Sequence, residues 1–487
     1  MKRKFLKDIS ASAIQVILNQ ALGLLVFILT SRFLSKPVYG ELNWSLAILT
    51  FVTTILSLRL EQIIVRKVAA GDDGSKMLTL FAGHTFFFGL LFYASLFLGS
   101  IIFPSFFKQH DLLLVLAISQ LISFFSSPFK QLANGKEHFS SLAVMSSISN
   151  IVRAVWLLGI VLFAVVTIQQ VLIIYIVSAV IELLISIYIV QYRLKITIST
   201  RWALKDYFIL LYESLPQMGA VFMNACVARL DWILLGIFST TIITAEYSFA
   251  YKVFELCPVP MLILGPVLLA RFSRYFSKHE EDTLTKRKKE LGFFIRYAMI
   301  TATLLPLILN IVWTPMIDAL TNNKYGAVNK NTFLLLSLCI PFQYMINLLW
   351  TIQFAQNRLK LIFRITAVSC LVIICGDLFM IPLLNATGAA IIYLLATAIE
   401  YILYLRSSVL IRIRESWQAL IVCISIALLS GFSVEYAGDN LLVKLLLAIT
   451  IYVVLLLITK QIKKEDWLTV KDWIVSKRSI SFKELPV

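Results

Sequence analysis

Leu78 to Phe103 reads LTLFAGHTFFFGLLFYASLFLGSIIF, without one Asp, Glu, Lys or Arg. Coiled as a helix, such a run crosses a hydrocarbon core of about 30 Å, which needs roughly 20 apolar residues. Lipid offers the backbone no hydrogen bonds, so a continuous apolar run there must be helical. Working outward in both directions, similar runs recur to each end of the chain. They are Ile9–Leu34, Leu42–Leu60, Leu78–Phe103, Leu112–Ala133, Ser140–Val166, Val171–Val190 and Ser214–Phe238. They continue as Tyr247–Ala270, Gly292–Trp313, Phe333–Ala355, Ile365–Leu384, Ala389–Leu405, Ala419–Phe432 and Leu441–Thr459. The reading is an all-α polytopic membrane protein with about fourteen transmembrane helices. The composition agrees: 59% of the 487 residues are hydrophobic and mean hydropathy is +0.86, beyond the usual soluble range.

The 44 Lys and Arg residues orient the chain. One side takes the N-terminus with Lys2, Arg3, Lys4 and Lys7, then the Arg59–Lys76, Arg193–Lys205 and Arg271–Lys289 loops and the Lys460–Lys483 tail. Lys130 and Lys136 also fall there. The other side has only Arg32, Lys36, Lys108, Lys324, Lys330 and Lys444. Cations concentrate on cytoplasmic loops, so both termini are expected in the cytoplasm. The net charge of +17 is then a topology signal and an attraction to anionic lipid, and implies no nucleic acid. The first apolar run is too long and carries too much polarity (Gln15, Asn19, Gln20) for a cleaved leader. The tail, with Trp467 and Trp473 among lysines, suggests an interfacial helix. The six cysteines lie inside spans and read as packing residues.

Shifting the chain by 205 residues superposes Asp8 on Glu213, Asn19 on Asn224, Gly40 on Ala245, Glu41 on Glu246, Trp44 on Phe249 and Arg66 on Arg271. This predicts two duplicated six-helix lobes, 1–212 and 213–405, followed by two extra helices and a basic tail, 406–487. An even helix number per lobe gives both the same orientation. Duplicated halves around a midplane site are a common transporter plan.

Charges within spans are costly and mark function by default. Arg153, Arg229 and Lys252 are the cations, and Glu182, Asp231, Glu255 and Asp377 the deep acids. A guanidinium fork suits phosphate, which makes Arg153, Arg229 and Lys252 candidate substrate ligands. The alternative is internal neutralisation, pairing Lys252 with Glu255, Arg153 with Glu182 and Arg229 with Asp377. Asp231, Glu182, Asp377 and Glu255 are candidates for ion coupling or lobe packing. Arg229 and Asp231, two apart, point to different sides of their helix, whereas Lys252 and Glu255 share a face. Pro258, Pro260 and Pro266 bend helix eight. Short loops leave no room for a soluble catalytic domain. No phosphate-binding glycine loop, histidine metal cluster or catalytic triad is readable, so no enzyme is expected.

Arg32-Phe33-Leu34-Ser35-Lys36-Pro37-Val38-Tyr39-Gly40 resembles the helix-one exit of polysaccharide flippases, a pattern close to R-x-L-G/S-x-x-x-Y-G. Leu230-Asp231-Trp232-Ile233-Leu234-Leu235-Gly236 and Ala245-Glu246-Tyr247-Ser248-Phe249-Ala250 resemble its second-half counterpart, with Ala245 where Gly is frequent. The resemblance is to the Wzx-type polysaccharide transporter branch of the multidrug/oligosaccharidyl-lipid/polysaccharide exporter superfamily. It implies two lobes in a V around a central cavity in a bacterial cytoplasmic membrane. It also implies alternating-access transfer of undecaprenyl-diphosphate-linked oligosaccharide, of O-antigen or capsule type, to the outer leaflet. Arg153, Arg229 and Lys252 would engage pyrophosphate and sugar. No cofactor is implied beyond a coupling H+ or Na+. Expected partners are the lipid-linked oligosaccharide, membrane lipids and the polymerase and chain-length machinery. The rival readings are a cation-coupled multidrug exporter of the same superfamily and a membrane glycan polymerase or ligase.

Overall fold

The computed structural model describes residues 2–199, 203–261, 268, 272, 284–408, 413–435 and 440–462. Helices α1 (Lys2–Phe33), α2 (Lys36–Leu56), α3 (Leu60–Ala69), α4 (Gly74–Ile102), α5 (Pro104–Gln109), α6 (Asp111–Gly135), α7 (Phe139–Phe163) and α8 (Ile168–Tyr188) come first. They are followed by α9 (Leu204–Phe238), α10 (Thr241–Phe254), α11 (Leu284–Thr321), α12 (Gly326–Ala355), α13 (Leu359–Arg406), α14 (Ile413–Ser433) and α15 (Leu441–Ile458). Among the described residues, 9 helices are long and apolar enough to span a membrane, or up to 10 if the bent pair α2 and α3 is one span. Ile17–Phe33 and Trp417–Ser433 are shorter apolar helices. The all-helical, multi-pass expectation holds.

Local chemistry explains the breaks. The axis bends by 49° between α2 and α3, where Leu58 and Arg59 adopt φ of 48° and 62°. The 48-residue α13 contains the two expected spans, divided at Asn385 with φ 52° and ψ −131°. Pro382 precedes this break, and asparagine tolerates positive φ better than other bulky residues. Helix eight differs from expectation. It ends at Phe254, and residues 255–258 form turns before helix resumes at 259–261. Pro258 and Pro260 supply no amide donors, so the ladder cannot run through them. Lys252 and Glu255 therefore do not share a continuous helical face. Pro266, most of the basic 271–289 connector and the tail with Trp467 and Trp473 lie outside the described residues.

The chain forms two compact units: Met1–Lys252 with Asp318–Thr332 and Thr366–Ile392, and Val253–Ile317 with Phe333–Ile365 and Tyr393–Val487. The first has a core of Leu60, Ile64, Leu78, Phe81, Leu132, Met145, Val190 and Leu210. Outside this core α4 carries Phe86, Phe87, Leu91 and Ile101, each more than half exposed. Such an apolar surface is what lipid contact requires. In the second unit Trp313 stacks on Phe333 at 3.8 Å, Asn310 donates to Ser337 at 2.9 Å, and the Thr303 and Tyr452 hydroxyls meet at 2.7 Å. Hydrogen bonds and close packing of this kind hold helices together where lipid supplies no hydrophobic drive. Five of the six cysteines are buried and Cys375 is exposed, so the packing role does not extend to Cys375.

Candidate functional site

Three helices of the first unit, α1, α7 and α8, build a polar patch at membrane depth. Asn150 donates to Asn19 at 3.4 Å. One turn along α7, Arg153 Nε donates to Ser178 Oγ at 2.8 Å. Its guanidinium carbon stands 4.2 Å from the Tyr175 ring centroid. The Ser178 hydroxyl donates to the Tyr175 carbonyl at 2.9 Å, so its lone pairs face Arg153. Every group holding Arg153 is neutral. Its terminal nitrogens donate to nothing among the described residues. An uncompensated guanidinium costs about 3 kcal/mol or more at membrane depth, and its free fork is a ready ligand for a diphosphate.

The expected neutralising acid is engaged elsewhere. Glu182 Oε1 accepts from Ser126 at 2.7 Å and pairs with Lys130. The Arg153–Glu182 pair is therefore not formed. Lys130 entered the sequence reading only as an orienting cation, and nothing in its spacing announces Glu182.

Arg229 and Asp231 both lie on α9. Arg229 donates to the Ala228 carbonyl at 3.0 Å and lies 5.1 Å from the Trp232 ring centroid. Asp231 is buried and accepts from the Trp232 amide at 2.8 Å and from the Tyr247 hydroxyl at 2.5 Å. Asp377 on α13 is 1% exposed, and among the described residues nothing donates a hydrogen bond to either of its oxygens. It lies within electrostatic reach of Asp231 and Tyr247. Asp231, Tyr247 and Asp377 thus form one buried acidic cluster, and an Arg229–Asp377 hydrogen-bonded pair is absent. Lys252 lies in the last turn of α10 and Glu255 stands in the turn after the helix. Among the described residues, no group of three or more His, Cys, Asp and Glu converges as a metal site would.

A dense cluster of contacts lies at the Lys36 end of α2. Asn43 donates to Ser248 at 3.1 Å. Gly40 packs so closely on α10 that a Cβ there would collide with the Thr241 carbonyl. Lys36 pairs with Glu246 at 2.6 Å. Phe249 stacks on Tyr325 at 4.7 Å and meets Phe27 at 5.3 Å. Two helix ends cap each other. Arg32 donates to the Leu320 carbonyl at 3.2 Å, while Lys324 donates to the Arg32 and Leu34 carbonyls at 2.6 and 2.8 Å. Cations are favourable at helix C-termini, where unpaired carbonyls collect. Sequence reasoning missed these contacts: Arg32 and Lys36 entered it as orienting cations and as part of a motif, and Lys324 as an orienting cation alone.

The chain is a multi-pass membrane protein whose apolar helices carry polar clusters. Its fold is similar to that of the lipid II flippase MurJ in the inward closed conformation, with TM-score 0.71, 14% identity, and 91% of this chain and 97% of that one covered. It is also similar to an inward-facing multidrug resistance MATE family transporter of the MOP superfamily, with TM-score 0.61, 12% identity, and 83% and 95% covered. A point mutant of the Vibrio cholerae MATE transporter VcmN gives TM-score 0.55, 13% identity, and 84% and 98% covered. No curated protein matches the sequence. The chain belongs to the polysaccharide biosynthesis protein family, whose model matches residues 5–276. The expected link to polysaccharide biosynthesis holds at the level of that family.

Proposed function

We propose that this protein carries a polyprenyl-diphosphate-linked oligosaccharide from the cytoplasmic to the outer leaflet of a bacterial cytoplasmic membrane by alternating access. The observation that carries the reading is Arg153, a guanidinium at membrane depth that, among the described residues, is supported only by neutral groups and has its fork unpaired. Such a site wants an anion, and a diphosphate accepts two parallel hydrogen bonds from the fork. Arg229 and Lys252 are proposed to serve the same substrate at other stages of its passage. The lobes 1–212 and 213–405 would be the moving bodies, with both termini cytoplasmic. The latch of Arg32, Lys36 and Lys324 would then close the outer side. The saccharide would be an O-antigen or capsule repeat, handed on to polymerase and chain-length proteins.

Asp231 and Asp377 are proposed as the coupling acids, binding H+ or Na+. Two buried carboxylates in mutual reach, one with no hydrogen-bond donor among the described residues, hold a proton or a small cation more readily than two charges. Glu182, paired with Lys130, and Glu255 fall to packing. The same acidic cluster favours a second reading, a cation-coupled drug exporter. A deletion strain separates the two. The flippase reading expects lost surface polysaccharide and an unaltered drug-resistance profile.

The test of the primary reading is Arg153→Ala in that strain. Surface polymer should fall about tenfold or more at normal protein level, the factor that goes with losing ~1.4 kcal/mol of binding. Unchanged polymer would overturn the assignment of Arg153.

A further inference from the structure

Tyr175, Ser178 and Glu182 lie on one stripe of α8, spaced by three and four residues. Ser178 touches Arg153, and Glu182 is one turn further on, with its Cβ about 5–6 Å from that of Ser178. An acid so placed is the natural counter-ion for a guanidinium at this depth. Yet Glu182 turns to α6, where Lys130 and Ser126 both bind its Oε1. Glu182 is 5% exposed, so its charge has no solvent to screen it and must find a cation. Lys130 on α6 satisfies that need.

We propose that Lys130 is a positioning residue for the substrate site: by sequestering Glu182 it keeps the Arg153 fork free for the diphosphate. The inference rests on the flippase reading and deepens it. Lys130 touches no substrate and acts only through Glu182. Without its charge, Glu182 has one cation within a turn of helix, and Arg153 becomes an internal ion pair. The substrate anion must then displace a carboxylate already in place, and its affinity drops. The pair thus partitions charge between two cations and one buried acid.

The experiment measures binding of undecaprenyl diphosphate to the full-length protein in lipid nanodiscs. Lys130→Met should raise Kd about tenfold, while Lys130→Arg should stay within about threefold of wild type. Lys130→Met combined with Glu182→Gln should return Kd to within about threefold of wild type, because no acid remains to compete. A merely structural role lowers the amount of binding-competent protein and its thermal midpoint but leaves Kd alone. Should Lys130→Met not fold, Lys130→Gln keeps a donor for Glu182 while removing the charge, and should raise Kd by about threefold or more. An unchanged Kd in the folded Lys130 variant, or a raised Kd that Glu182→Gln does not restore, overturns the inference. Arg153→Ala is the reference. If wild type and Arg153→Ala bind alike, or neither binds, the flippase reading of Arg153 fails and takes this inference with it.

Discussion

Asn43 and Ser248 stand 205 residues apart and hydrogen-bond to each other at 3.1 Å. That separation equals the offset that superposes the two halves of the sequence. Gly40 and Ala245, another pair at that offset, also meet: a Cβ on Gly40 would stand 3.1 Å from the Ala245 amide nitrogen. The same Cβ would stand 1.8 Å from the Thr241 carbonyl oxygen, so a side chain at position 40 does not fit.

Gly40→Val should therefore pry α2 from α10. In an Asn43→Cys, Ser248→Cys background, mild oxidation should cross-link the two cysteines efficiently. Adding Gly40→Val should reduce that yield about fivefold, equivalent to ~1 kcal/mol against the closed contact. A yield that does not change would mean that the Gly40 approach is not what holds these contacts.

The spans were legible because lipid imposes one rule on every segment. The contacts at the Lys36 end of α2 were half legible, since the offset that pairs Glu41 with Glu246 also pairs Asn43 with Ser248. What decides the polar site was not. Whether Glu182 takes Arg153 or Lys130 depends on how α6 and α7 flank α8, and no spacing along the chain carries that. The break after Phe254 was written in Pro258 and Pro260, but they were read as a bend in a longer helix.

The latch makes a prediction about Lys324. Burial, together with the Lys36 charge, lowers its pKa from the ordinary 10.5. Between the lowered value and 10.5 the unfolded chain holds the proton and the folded chain does not, so stability rises with pH across that window. Below it the folded state carries a constant penalty. Lys324→Met should lose this rise. Unfolding midpoints of wild type and variant, followed as pH approaches 10.5 from below, should diverge in favour of wild type. Parallel curves would show that Lys324 does not titrate in this way.

Asp377 yields a functional prediction. Among the described residues neither oxygen has a donor, so Asp377→Asn should fold well while removing one of two interacting acids. If the cluster binds the coupling ion, transport measured with and without a sodium or proton gradient should lose its gradient dependence in the variant. Tyr247→Phe removes the donor to Asp231 Oδ2 and should shift that dependence without abolishing it. A gradient response unaltered in Asp377→Asn removes the cluster from coupling.

His84 tests how the α2–α3 bend is stabilised. The bend leaves carbonyls at the end of α2 without the amide partners a straight helix would supply. His84 Nε2 lies 2.8 Å from the Leu56 carbonyl, and Nδ1 lies 2.8 Å from the Tyr207 hydroxyl. A carbonyl can only accept, so Nε2 carries the proton and Nδ1 accepts from Tyr207. One neutral imidazole thus ties α4 to the end of α2 and to the start of α9. His84→Leu fills the space but leaves the carbonyl and the hydroxyl unpaired, at a cost of about 1–3 kcal/mol for a stranded buried group. Tyr207→Phe strands only one imidazole nitrogen and should cost less. In thermal unfolding of the detergent-solubilised protein the midpoints should fall in the order wild type, Tyr207→Phe, His84→Leu. His84→Gln, which has both a donor and an acceptor, should recover part of the loss. An His84→Leu variant as stable as wild type would mean that the bend is held by helix packing alone.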